Sequence, residues 1–150
     1  MSAATAAPAV ASGVELMEAI RDGRVDPPPA AVLFGLELLE VAEGRTVFGF
    51  RPDERFSNWQ TTHGGVLAGV ADFALTTAVI TATPLGTDVV TTNLTVTYLR
   101  PLALDDGQAR ATGTVVHLGG TLAHAEVTLE DVQGRLLLRA SGTCRIRAPR

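Results

Sequence analysis

Cysteine is all but missing: Cys144 stands alone in the chain, so no intrachain disulfide can form and nothing demands an oxidising compartment. It lies in an apolar-alternating run, which reads as a buried structural thiol. Long apolar runs are also lacking, since no segment approaches the roughly 20 apolar residues needed to span a bilayer. The opening MSAATAAPAVASG has neither a basic n-region nor a continuous apolar h-region, and reads as an Ala-rich disordered tail rather than a signal peptide. Lysine and arginine form no cluster, and with a net charge of −4 this argues against a general nucleic-acid-binding surface. No dinucleotide fingerprint occurs, and His63, His117 and His124 make no metal-ligand grouping with cysteine. The expectation is a cytoplasmic protein with a small-molecule ligand, without metal or cofactor and without a nucleic-acid or membrane partner.

What is present is enough apolar material for one core: 150 residues, 46% of them hydrophobic. Ser12 and Glu15 form a capping box, and Val14, Met17 and Ile20 follow at helical spacing up to Gly23. The run Asp26-Pro-Pro-Pro29 reads as a stiff connector that is neither helix nor central strand. Residues 1–29 are therefore tail, short helix and connector, and the folded body is expected over 30–150. Leu33 to Val41 and Thr46 to Arg51 are strand-like, split by the turn pair Glu43-Gly44. From Gly64 to about Thr83 apolar residues cover nearly every side of a helical wheel, predicting a helix buried all round and ended by Pro84-Leu-Gly86. Val89–Leu99, Gln108–Leu118, Leu122–Leu129 and Leu136–Ile146 then read as long strands. Asp105-Asp106-Gly107, Gly119-Gly120 and Gln133-Gly134 divide them at hairpin spacing. One apolar helix followed by four strands in meander order predicts an α+β fold, an antiparallel sheet curled around a long central helix.

Between Arg55 and Asp88 the only formally charged residue is Asp72, and it falls on that apolar helix. Burying an unpaired carboxylate costs several kcal/mol, so it must be hydrogen-bonded, protonated or at the edge of a ligand cavity. Two readings stand level: a reactive carboxylate, or a structural one bonded to Thr76 or Thr77. Thr61-Thr62-His63-Gly64-Gly65 leads into the same helix, where glycines would let a ligand approach free backbone N–H groups at a positively polarised helix N-terminus. A developing oxyanion suits such a place; an ordinary glycine-bearing helix start is the plain alternative. Asp72 lies eight positions beyond Gly64, about 12 Å along the axis. Two groups so far apart cannot both touch one small reacting centre. A two-fold dimer with antiparallel helices would bring Gly64 of one chain to Asp72 of the other.

The stretch SNWQTTHGGVLAGVADFALTTAV, then TTNLTVTYLRP, then GTVVHLGGTLAHAEVTLEDVQGRLLLRASGTCRI, resembles the PaaI-like branch of the hotdog acyl-CoA thioesterases over about residues 33 to 147. The resemblance implies a hotdog fold, hydrolysis of a fatty or aromatic acyl-CoA to free acid and CoA, and a homodimer or dimer of dimers with sites at the interface. It puts the nucleophile or general base on Asp72 and the oxyanion donor on the N–H of Gly64, next to Gly65. His63 falls on the motif histidine, implied to shape the helix entry and support the thioester, with a purely structural, hydrogen-bonded role as its alternative, and Thr91 on a hydroxyl position whose alternative is an ordinary strand residue. The polar residue expected six positions before the motif histidine is Ser57 here, with Asn58 next to it, so either is a candidate. Coenzyme A contacts are implied for Tyr98, Leu99, Arg100 and Pro101, and for the hairpin at Gly119, Gly120 and Thr121, which lacks the usual cation. Trp59 reads as a packed aromatic. A non-catalytic acyl-CoA or acyl-carrier-binding module, and a hotdog hydratase or dehydratase, are the alternatives.

Overall fold

The structure, a computed structural model, describes residues 10–148; the expected tail falls mostly outside them. Helix α1 (Gly13–Arg21) starts where the capping box places it: Ser12 Oγ accepts from the Glu15 N–H at 3.1 Å. The body begins earlier than Ala30, because α1 is docked on it. Met17 and Ala19 are buried, and a Cβ on Gly13 would sit 2.0 Å from the Ile80 carbonyl oxygen. The Pro-rich connector is helical at its end. Pro29 opens α2 (Pro29–Phe34), since its fixed φ and missing N–H suit the first position of a helix, and Gly35 at φ 65° closes it. That corrects the expected strand from Leu33, which starts only at β1 (Glu37–Ala42).

β1 pairs antiparallel with β2 (Arg45–Phe50) across the expected Glu43-Gly44 turn. A 3-10 turn (Glu54–Phe56) and a minimal hairpin, β3 (Ser57–Asn58) with β4 (Thr61–Thr62), lead into the central helix α3 (Gly64–Thr81). The remaining strands are β5 (Asp88–Tyr98), β6 (Ala109–Leu118), β7 (Leu122–Glu130) and β8 (Leu136–Arg147). The six-stranded antiparallel sheet has the order β1-β2-β6-β7-β8-β5 and wraps α3, as a hotdog fold does.

This order corrects the expected meander. β6, β7 and β8 are joined by hairpins, but β5 pairs with β8, not β6, so Asp105-Asp106-Gly107 is no hairpin turn. The connection over 99–108 instead crosses to the far side. Leu99 and Arg100 donate their N–H groups to the Leu137 carbonyl at 2.8 and 3.1 Å, Leu102 is buried as an anchor, and Ala103 bridges to Thr61. β5 is left as an edge strand. Its pairing with β8 carries a bulge between Thr91 and Asn93.

α3 has the length and mean hydropathy, 1.5, of a membrane span, contrary to the expectation that no segment would. Half of it is buried within this chain. The sheet meets it at backbone range: a Cβ on Gly113 of β6 would lie 2.0 Å from the Ala74 carbonyl oxygen. Beside that contact, Thr46 Oγ1 donates to the same oxygen at 3.1 Å. Gly113→Ala is therefore expected to push α3 off β6 and destabilise the fold by about 3 kcal/mol or more, an overpacking cost at a site where backbone, not side chain, must yield. Urea unfolding measures it; a midpoint matching wild type would refute the close approach.

Candidate active site

The N-terminus of α3 holds four N–H groups with no intrahelical carbonyl to meet. Val66 and Leu67 donate to the His63 carbonyl at 3.0 and 3.3 Å. Gly65 donates to His63 Nδ1 at 2.9 Å, so His63 is the N-cap of the helix. That bond needs a lone pair on Nδ1, which places the proton of the neutral imidazole on Nε2. Gly64 N–H alone in this turn has no partner among the described residues. The cap thus decides which N–H is engaged: His63 takes up the second glycine's N–H and leaves the first one without a partner among the described residues, at the positive end of the helix.

The two glycines do not leave the empty approach that the sequence suggests. A Cβ on Gly64 would meet the Tyr98 ring at 3.2 to 3.4 Å, and one on Gly65 would meet the His63 ring at 3.0 Å. Their missing side chains make room for this chain's own rings, and Tyr98 Oη donates to the Gly64 carbonyl at 2.6 Å.

Asp72 is half-buried, and its Oδ1 accepts from Thr91 Oγ1 at 2.6 Å. Thr76 and Thr77 turn their hydroxyls back to the carbonyls of Asp72 and Phe73, at 2.5 and 2.6 Å. Neither reaches the carboxylate, so the structural network first weighed for Asp72 is not formed there. Oδ2 has no partner among the described residues. Thr91 is more than an ordinary strand residue, since it fixes one carboxylate oxygen and leaves the other free. Behind it, Cys144 Sγ lies 4.0 Å from Thr91 Oγ1. The Thr91 proton is committed to Asp72, so Cys144 S–H is the donor in that contact. Burial pushes the Cys144 thiol up, and the Asp72 charge adds to the rise. The thiol stays protonated and structural. Its place beside Thr91 could have been read from the β5/β8 register, but not from spacing alone.

A carboxylate with one free oxygen and a helix N-terminus with one free N–H are the kinds of group that acyl transfer uses. A family model described as "Thioesterase superfamily" matches residues 60–138, which include both. The chain belongs to the thioesterase superfamily. No match is found among curated protein sequences. Among solved structures it is similar to the E. coli PaaI protein from the phenylacetic acid degradation operon, at 21% identity and a TM-score of 0.78, covering 92% of this chain and 98% of that one. It is likewise similar to a phenylacetic acid degradation-related protein from Ralstonia eutropha (22%, TM-score 0.77, 86% and 98%). A thioesterase from Haemophilus influenzae gives 20%, a TM-score of 0.76, and 87% and 90%. These likenesses agree with the PaaI-like hotdog architecture.

The other expected residues of this superfamily member are spread out. Ser57 Oγ donates to the Glu54 carbonyl at 2.9 Å, while Asn58 is exposed at the tip of the β3–β4 hairpin with no side-chain hydrogen bond among the described residues. Trp59, expected to pack, is 92% exposed, because its φ of 60° at that tip aims the indole outward. Leu99, Arg100 and Pro101 are exposed beyond the end of β5. Gly120 and Thr121 are exposed at the β6–β7 tip, with Gly119 half-buried beside them; this tip sits at the opposite end of the sheet, where the Ile146 N–H bonds the Thr121 carbonyl. One chain therefore does not bring the two expected coenzyme segments together. A cavity of about 590 Å³ lies on the other flank of α3, between α1, β1 and β2, lined by Leu16, Met17, Ile20, Leu38, Phe48 and Phe73 among others. Its only titratable groups, Arg21 and Glu37, are engaged by Asp22 and Gln108. It offers apolar space without chemistry. Among the described residues, no three His, Cys, Asp or Glu side chains converge on a metal position.

Proposed function

We propose that this chain hydrolyses a fatty or aromatic acyl-CoA as a two-fold dimer in the cytoplasm, with Asp72 of one chain and the Gly64 N–H of the other completing each site. The observation that carries this reading is the single free N–H at the start of α3, paired in function with the single free oxygen of Asp72. Asp72 Oδ2 attacks the thioester carbonyl or takes a proton from an attacking water. The carbonyl oxygen gains charge against the Gly64 N–H, and the thiolate of CoA leaves and is protonated. Water and thioester give acid and thiol, and no cofactor is called for.

Two pairs of residues favour the dimer independently. Gly64 sits by Tyr98 at one end of β5, and Asp72 sits by Thr91 toward the other. Tyr98–Pro101 and Gly119–Thr121 divide between the same two ends. A two-fold operation that pairs the β5 edges antiparallel would join Gly64 to the second chain's Asp72. The same operation would bring Tyr98–Pro101 alongside the second chain's Gly119–Thr121. Arg100, exposed at that place, supplies a cation for the nucleotide phosphates.

The test is free-thiol release by the purified protein from a panel of acyl-CoAs that includes phenylacetyl-CoA and fatty acyl-CoAs. Release well above the uncatalysed rate is expected for at least one of them. Binding of every panel member without thiol release would make the protein a binding module. Hydration of an enoyl thioester without thiol release would make it a hydratase.

A further inference from the structure

We infer that Tyr98 is a positioning residue for the oxyanion donor: its hydroxyl and His63 Nδ1 clamp the Gly64–Gly65 peptide from opposite ends, so that the adjoining Gly64 N–H points one way only. This rests on the hydrolase reading above.

Consecutive glycines are the most mobile start a helix can have, since neither has a Cβ to restrict φ and ψ. An oxyanion donor must be fixed before charge develops, because its advantage lies in needing no reorganisation at that moment. In this chain the Gly64–Gly65 peptide is held by its N–H, which donates to His63 Nδ1 at 2.9 Å, and by its C=O, which accepts from Tyr98 Oη at 2.6 Å. The carbonyl has two lone pairs, so the tyrosine is accepted beside the helical bond. With that peptide plane fixed on one side of the Gly64 Cα, the only freedom left to the Gly64 N–H is rotation of the preceding peptide. That peptide's own carbonyl, of His63, accepts from Val66 and Leu67, and one peptide earlier the His63 N–H is tied to the Phe56 carbonyl at 2.8 Å.

Tyr98 is itself rigidly mounted. It pairs with Leu138 at the end of β5, and the next two N–H groups share the Leu137 carbonyl. Gly64 does not have the left-handed φ that would by itself require glycine. What a side chain there would meet is the Tyr98 ring, at 3.2 to 3.4 Å. The glycine and the tyrosine are complementary parts of one device.

Tyr98→Phe tests this, because the ring still fills the space above Gly64 and only the hydroxyl is lost. With acyl-CoA and with a truncated S-acyl pantetheine, kcat is expected to fall by the same factor, about tenfold, with KM within about twofold of wild type. Affinity for an S-alkyl-CoA thioether, which has no carbonyl oxygen to meet the donor, is expected to be unchanged. A raised KM confined to acyl-CoA, with kcat kept, would make Tyr98 a nucleotide contact and overturn the inference, as would unchanged kcat. Wild-type protein without any thioester turnover would defeat the hydrolase reading instead. The clamp is then read by amide hydrogen exchange at Gly65, expected to speed up at least several-fold in Tyr98→Phe; equal exchange in the two proteins overturns it.

Discussion

Asp72→Asn is expected to lower kcat by about 10²-fold or more while leaving the fold and its melting temperature close to wild type. The two side chains have the same shape. The amide oxygen of asparagine can accept from Thr91 Oγ1 where Oδ1 does now, at 2.6 Å. That contact holds the side chain against β5. The lost element is the second oxygen, which has no partner among the described residues and is replaced by an NH₂ that can neither attack a carbonyl nor take a proton from water. Thiol release at saturating acyl-CoA measures the fall, with circular dichroism as the check on folding. Near-wild-type turnover by a folded Asp72→Asn protein would remove Asp72 from the chemistry.

Mixing two inactive proteins is expected to restore about a quarter of wild-type activity. Asp72→Ala removes the carboxylate, and Gly64→Pro removes the N–H that has no partner among the described residues in the first turn of α3, at the first helical position, where proline is well tolerated. Each homodimer should lose about 10²-fold or more. If donor and carboxylate come from different chains, a heterodimer holds one site with both defects and one with neither. Random reassortment makes about half the dimers heterodimers with half their sites intact, giving the quarter. The proline Cβ must be admitted next to the Tyr98 ring, 3.2 Å away, so a small displacement of that ring is part of the design. The proline variant must first pass circular dichroism. Subunits are then exchanged in mild denaturant, refolded and assayed. No recovery in verified heterodimers would return both groups to one chain and end the shared-site reading.

The elements that depend on periodicity alone are where the sequence puts them. The helix expected from Gly64 ends at Thr81, two residues short of Thr83, and the strand expected over Val89–Leu99 is Asp88–Tyr98. Those segments are long, and burial or alternation repeats many times in each. What was misread depends on single residues or on distant partners. α2 is hidden in the run from Leu33 because two punctuation marks, Pro29 and Gly35, bound a helix too short to show a period. The place of β5 beside β8 is set by which edge the crossover reaches, and no local pattern of apolar residues encodes that. Asp72 was legible as an isolated charge on an apolar helix. Its partner was not, because three hydroxyls lay within reach and only the sheet decides that Thr91 is used rather than Thr76 or Thr77. Tyr98 reaching Gly64 likewise joins two residues whose roles, read one at a time, pointed elsewhere.

The bulge between Thr91 and Asn93 acts as a change of phase. In an unbroken strand, side chains alternate between the two faces, and residues an odd number of positions apart look in opposite directions. Thr91 and Tyr98 are an odd number apart, yet both turn toward α3, one to Asp72 and the other to Gly64. The exposure along β5 records the shift, with Thr92 and Asn93 exposed in succession where an alternating strand would show only one. One unpaired residue thus lets a single strand address both ends of the helix. Straightening the bulge with every residue kept would restore strict alternation and leave the strand able to hold only one of the two.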